Sequence, residues 1–376
     1  MEHYERMKTD SANSYFLFSR GEIEAVKARI GARQLAAYKN DMETLFDAPL
    51  ESVTSKTKPA PSGCPNDYVS LATYWWADPE RSGGLPYLRK DGFVNPEGKL
   101  YDKDKLKRLA YLVNNGSMLW FLTGEKRYVE LIRRHLRNWF INPETRMNPH
   151  LEYGQFIPGV CSGRGEGIID YSASFPYALN MLSLLRTENM LDADTVKGLE
   201  DWHRAFRSWL LESPVGIDER SAQNNHGVYY DLALCVIEMF LGMEDEVKKR
   251  GEAFGKERLE KQIAGDFSLP RETGRTRSVN YCLMALKGFL ELAKIYRSFG
   301  RDWFPGLKGT VDWAYGNLVL GRKNWPHAQV TQIDEGIFLV FREMAVCAYG
   351  GKYLNIADFV DREKIAYKVL EYLYLY

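Results

Sequence analysis

Asn224, Asn225 and His226 stand side by side in SAQNNHGVYYD, residues 221–231, at the mouth of an apolar, helix-like run. Asn is a poor helix-interior residue because its amide competes for the backbone, and a good N-cap for the same reason. One cap accounts for one asparagine and leaves the second asparagine and the histidine to be explained. A second polar segment, LPRETGRTRSVNY at 269–281, puts Arg271, Arg275 and Arg277 ahead of another apolar run, with Ser278 placed as its N-cap and Tyr281 in its first turn. Guanidiniums gathered at a helix N-terminus favour a carboxylate ligand, since the macrodipole and the forked donors act together. A solvated basic loop is the plainer alternative.

The two segments together hold an amide and an arginine to bind a carboxylate, and a histidine and a tyrosine to move protons. That set suits cleavage of a 1,4-linked polyuronate by β-elimination. The C5 proton is weakly acidic, so the neighbouring carboxylate must be neutralised before a base can act. Asn225 and Arg275 are the expected neutralisers. His226 or Tyr281 takes the proton, and Tyr281 can hand one to the leaving oxygen. A tyrosine with an ordinary pKa near ~10 needs a nearby cation for this work, which the arginines supply. Asn224 is expected as the cap or as a supporting hydrogen bond at the substrate.

Such residues need elements to carry them. After Leu100 the chain reads as helical pairs: 103–124 with 125–141, 173–191 with 193–214, and 226–242 with 243–264, followed by apolar runs at 278–300, 310–321, 334–350 and 363–376. Earlier, 21–46 reads as one amphipathic helix, a Pro- and Ser-rich break follows, and 71–98 is an aromatic loop with no helical period. No fixed repeat emerges, so a strict solenoid is not expected. Paired antiparallel helices joined by long polar loops predict an all-α fold, an incomplete (α/α) toroid with cleft-lining loops, as one domain over 1–376.

Composition narrows the function. Lys plus Arg equals Asp plus Glu at 50 each, so net charge gives no support to nucleic-acid binding and any anion must be held locally. The five cysteines form no CxxC; Cys235 and Cys282 sit in apolar runs and read as small buried residues. His150, His203 and His327 match no metal spacing, and no cofactor or metal is expected. No stretch of about 18 uncharged apolar residues occurs, so no membrane partner is expected. MEHYERMKTD carries no apolar leader, so an export signal is not part of the chain as given.

The segments NDYVSLATYWWADP, GLPYLRKDGFVNPEG, GRGEGIIDYS, NNHGVYYD and GRTRSVNY together resemble the alginate-lyase-like polysaccharide lyases, especially family thirty-eight, over about residues 60 to 340. The chain is also similar to the family five alginate lyases. The resemblance implies a lyase acting on alginate or glucuronan, an (α/α) toroid, a periplasmic or secreted enzyme, and an Asn, His, Arg and Tyr catalytic set that falls on Asn225, His226, Arg275 and Tyr281.

Further candidates surround that set. Arg164 and Glu166 in GRGEG either pair with each other or touch substrate. Tyr74, Trp75 and Trp76 are candidates to stack on sugar rings, with at least one expected in the core. Tyr229 and Tyr230, one turn past His226, are placed as cleft residues, and Gln329 either lines a subsite or belongs to a helix end. Two rivals stand beside the lyase. A glycoside hydrolase on the same toroid would use Glu166 and Asp170 as its carboxylate pair. A non-catalytic glycan binder would keep the aromatics and arginines and need neither His226 nor Tyr281.

Overall fold

A computed structural model describes residues 17–333 and 336–359. Among the described residues, the α-helices of eight residues or more are α1 (Arg20–Arg29), α2 (Ala32–Phe46), α3 (Lys103–Thr123), α4 (Arg127–Leu136), α5 (Phe175–Thr187), α6 (Ala193–Glu212), α7 (Pro214–Ser221), α8 (Asn225–Phe240), α9 (Glu244–Phe254), α10 (Ser278–Ser298), α11 (Phe304–Ala314) and α12 (Gly336–Tyr349). Four short strands accompany them: β1 (Val69–Leu71), β2 (Trp75–Trp76), β3 (Leu88–Arg89) and β4 (Tyr153–Phe156). β1 pairs with β4 in parallel, and β2 pairs with β3 antiparallel. The run at 363–376 and the N-terminal MEHYERMKTD lie outside the described residues.

Local chemistry explains where the elements stop. The single helix expected over 21–46 is two, because the chain turns extended at Ile30 and the following Gly31 donates its N–H to the Gln34 side chain, starting α2 afresh. Glycine is a weak helix residue, so a break there costs little. Asp192 accepts from Thr195 N–H at 2.8 Å and caps α6, and Ser213 with Pro214 at the first helical position starts α7. Gly124, in the left-handed conformation at φ 75°, closes α3 and lets α4 begin.

The chain forms two compact units. Within the described residues, one comprises 17–38, 223–235, 243–333 and 336–359, and the other comprises 39–222 and 236–242. In the first unit α10 is the central helix and packs on α9, α11 and α12. Its Gly288 lets the start of α8 approach so closely that a Cβ there would lie 2.8 Å from Val228 Cγ1. Asp231 is answered by Arg258 at 2.7 Å, and Cys235 and Cys282 are buried, as expected, with Cys235 Sγ against Tyr296 Oη at 3.3 Å.

In the second unit α3 packs on α4 and α5, and the β1–β4 ladder is covered by Tyr101 and Ala60. His203 lies in its aromatic core among Phe140, Trp202, Phe175 and Phe240, with its ring nitrogens against Leu199 O at 2.7 Å and Tyr171 Oη at 3.0 Å. It is structural, as expected. Burial pushes its pKa down to about 4, because the ring must stay neutral there. A base held below its unfolded pKa stabilises the fold fully above about pH 6.5 and loses that contribution as pH falls toward 4. The expected result is a loss of roughly 3 kcal/mol of stability across that window, with a flatter profile for His203→Gln, read from thermal midpoints at stepped pH.

Candidate active site

The two asparagines of the opening motif have separate jobs. Asn224 Oδ1 accepts the His226 N–H at 3.1 Å, which makes Asn224 the cap of α8. Asn225, only 1 % exposed, turns inward: its backbone N–H donates to Glu272 Oε1 at 2.6 Å, and its Nδ2 donates to Oε1 at 3.1 Å and Oε2 at 2.9 Å. Glu272 sits in a single helical turn, Pro270–Thr273, and is 2 % exposed. Its carboxylate therefore meets the N-terminus of α8, where the dipole favours negative charge. Burial pushes its pKa above the ordinary carboxylate value, while Asn225's two donors and the nearby Arg275 and His226 pull the other way. His226 is half-buried in the first turn of α8.

Arg275 follows one turn later, its N–H bonded to Glu272 O at 3.1 Å. Its Nη2 donates to Tyr281 Oη at 2.9 Å and its guanidinium lies 3.9 Å from the centre of the Tyr281 ring. Tyr281 stands in the first turn of α10, half-buried. Asn225, His226, Glu272, Arg275 and Tyr281 thus belong to one unit and are linked pairwise through Glu272 and Arg275.

The rest of the arginine segment is braced by distant chain. Ser278 is not the side-chain cap of α10. Its hydroxyl donates to Ala328 O and accepts from Trp325 Nε1, and α10 begins at Ser278 itself. The capping acceptor is Gln329 Oε1, which takes the Val279 N–H at 3.2 Å, while Gln329 Nε2 donates to Asn280 Oδ1 and Thr331 O. Gln329 is accordingly built into a helix end. Arg277 forms a backbone bridge with Gln329, and Arg271, exposed, donates to Gln223. The cleft placement of Tyr229 and Tyr230 is corrected: they are 3 % and 0 % exposed, because α8 from Val228 onward is apolar on nearly every side, with Asp231 and Glu238 as its charged residues.

The remaining candidates lie in the second unit. Tyr74, Trp75 and Trp76 are half-buried; Trp76 Nε1 donates to Phe93 O at 3.0 Å and Lys90 lies over its ring at 5.4 Å. Arg164 pairs with Glu166 at 3.1 Å. Asp170 is buried and taken up by Lys103 at 2.8 Å and by the hydroxyls of Tyr68 and Ser70, so it is not a carboxylate free to join Glu166 in hydrolysis. His150 accompanies Asp67 at 3.1 Å; His327, in the first unit, lies tilted against Trp325 with ring centres 4.8 Å apart. Among the described residues no cluster of three or more His, Cys, Asp or Glu is arranged to hold a metal, and no helix is long and apolar enough to cross a membrane. Glu272 is the site residue that the sequence reading missed. Its one signal is that it is the sole carboxylate among the arginines of PRETGRTR.

Comparison with known proteins places this geometry. The family model described as alginate lyase matches residues 52–325. An alginate lyase from Bacteroides ovatus is similar to the chain with a TM-score of 0.89 and 28 % identity, covering 96 % of this chain and 99 % of that one. Alginate lyase A1-III from Sphingomonas species A1 is similar at a TM-score of 0.57 and 16 % identity over 93 % and 92 % of the two chains. A variant of A1-III complexed with a tetrasaccharide gives 0.57 at 15 % identity, covering 89 % and 86 %. These last two show the fold alone. No curated protein sequence matches. The all-α (α/α) toroid read from the helical pairs is the fold that these likenesses share.

Proposed function

We propose β-elimination in a 1,4-linked polyuronate as the reaction of this chain, which belongs to the alginate lyase family and is a polysaccharide lyase. Polymannuronate-type alginate and glucuronan are the substrates this reading favours. The observation that carries it is the Arg275 guanidinium seated on the Tyr281 hydroxyl, beside a buried Glu272 that holds Asn225 and lies near His226.

In the proposed reaction Arg275 and His226 draw charge off the substrate carboxylate, so that the C5 proton can leave with an enolate-like intermediate stabilised. Tyr281 is the base, since a donor on its oxygen stabilises the negative charge that the deprotonated phenol carries. The electron pair from the C5–H bond forms the C4–C5 double bond, the glycosidic C4–O bond breaks, and the Tyr281 hydroxyl returns a proton to the leaving oxygen. Asn225 departs from its expected role. Its amide N–H donors are spent on Glu272, so it is read as the residue that fixes Glu272 and, through that charge, Arg275 and His226.

Each unit is assembled from separated segments, and we read 1–376 as one catalytic domain. A polymeric anionic substrate fits an enzyme acting outside the cytoplasm, in the periplasm or beyond. The test is a panel of polymannuronate, polyguluronate, alginate and glucuronan assayed for the ultraviolet absorbance of unsaturated uronate and for reducing ends. Absorbance rising with reducing ends on at least one polymer is expected. Reducing ends without absorbance indicate a hydrolase, and binding without either indicates a glycan-binding protein.

A further inference from the structure

We propose that Gln155 is a positioning residue that presents Arg164 to a uronate carboxylate of a polyuronate. The inference rests on the polyuronate-lyase reading above and adds a device that the catalytic set does not contain.

Three independent features of the second unit converge on Arg164. The first is the loop GRGEG. A Cβ on Gly163 would lie 1.8 Å from Glu152 O, one on Gly165 would lie 2.8 Å from Glu219 N, and one on Gly167 would lie 2.4 Å from Gly154 O. Every second residue is thus pressed against backbone, which leaves Arg164 and Glu166 as the positions able to carry side chains. Packing alone would be served by any loop shape; this one is held rigidly and displays a guanidinium.

The second feature is a bulge. β1 and β4 are in register at Val69 with Tyr153 and again at Leu71 with Phe156, so β4 holds one extra residue there. Gln155 sits in it with φ 48°, the left-handed region that a glycine fills without strain, and its N–H leaves the ladder for Ser70 Oγ at 2.8 Å. Bulges re-aim side chains. A glutamine kept in a slot suited to glycine points to a use for its side chain.

The third feature is that use. Gln155 is 6 % exposed; its Oε1 accepts Arg164 Nη2 at 2.8 Å and its Nε2 reaches Asp170 Oδ1 at 3.5 Å. Asp170 is itself locked by Lys103, Tyr68 and Ser70. The amide is therefore oriented by a buried carboxylate with its carbonyl toward the guanidinium. Glu166 holds the other terminal nitrogen at 3.1 Å. Arg164 remains a quarter exposed with donors to spare, which is the arrangement of a cation pre-set for an anionic ligand.

Arg164 would bind ground state and transition state alike, so weakening its hold raises KM and spares kcat. The variant Gln155→Gly suits the test, because glycine accepts the left-handed backbone and only the side-chain links are lost. Wild type, Gln155→Gly, Arg164→Ala and the double variant are compared for kcat and KM on polymannuronate and glucuronan, for thermal midpoint, and for calorimetric binding of a tetrauronate. For Gln155→Gly we expect KM to rise about 10-fold with kcat within about twofold, and a thermal midpoint equal to wild type or higher. The double variant should be no worse than Arg164→Ala, since both act on one contact. Wild-type KM for Gln155→Gly, or a double variant whose loss is the product of the two single losses, overturns the proposal. If wild type forms no unsaturated uronate, the lyase reading fails by itself, and calorimetry decides the inference: weaker tetrauronate binding by Gln155→Gly upholds it and equal binding sinks it. A wild type that neither cleaves nor binds sinks both.

Discussion

Tyr281→Phe loses on the order of 1,000-fold or more in turnover on polyuronate while its fold is unchanged. The substitution removes one oxygen. The ring that the Arg275 guanidinium covers at 3.9 Å remains, so the first turn of α10 keeps its packing and loses a single hydrogen bond, at a cost of about 1 kcal/mol. Turnover loses both the base and the acid, since Tyr281 serves as both in the proposed reaction. His226→Ala is the companion. The cap that Asn224 makes to residue 226 uses the backbone N–H, which alanine retains, and alanine is a better helix former than histidine. Its rate is expected to fall by about 100-fold or more with far-ultraviolet circular dichroism superimposable on wild type. Initial rates from the unsaturated product measure both. Near-normal rates for either variant on every polyuronate would make that residue structural and overturn its role, proton transfer for Tyr281 or charge neutralisation for His226.

What the sequence disclosed and what it concealed divide by the range of the interaction. The pairs 103–141 and 173–214 were readable because apolar residues recur at helical spacing, a property of neighbours along the chain. The ends were less so. Ser278 looks like a cap of α10 by local rules, yet the acceptor comes from Gln329, some fifty positions away, and nothing in SVNYC announces it. Tyr229 and Tyr230 were misplaced because their spacing from His226 suggests a shared face, while α8 is buried on nearly all of its faces. The β4 bulge at Gln155 has no local signature, since a left-handed glutamine is fixed by its partners Ser70, Asp170 and Arg164. Glu272 is the sharpest case. Among three arginines it reads as a solvated countercharge, and only the fold reveals that Asn225 meets it.

That meeting sets the second large expectation, which concerns whether Asn225 acts on substrate or through Glu272. Asn225→Ala strips the two Nδ2 contacts from a buried carboxylate and leaves only the backbone donor. A hydrogen bond to a charged group contributes about 1.5–3 kcal/mol, so the variant should be markedly less stable at neutral pH. The pH dependence has a definite sign. Burial already holds the Glu272 pKa above its ordinary 4.5, and losing donors raises it further. A group whose folded pKa is raised favours the fold at low pH and loses that advantage as pH rises through the folded value. The stability gap between wild type and Asn225→Ala should therefore be small near pH 4 and widen toward neutrality. Glu272→Gln removes the charge, so the double variant should be more stable at neutral pH than Asn225→Ala alone, a coupling that two independent residues would not show. Rates complete the test. Asn225→Ala is expected to lose about 100- to 1,000-fold in turnover. If that loss runs through Glu272, Glu272→Gln is comparably slow and the double variant is no slower. A double variant slowed by the product of the two losses would return Asn225 to direct contact with the substrate carboxylate. Asn224→Ala is the control: it loses only a cap, about 1 kcal/mol of stability, and keeps its rate.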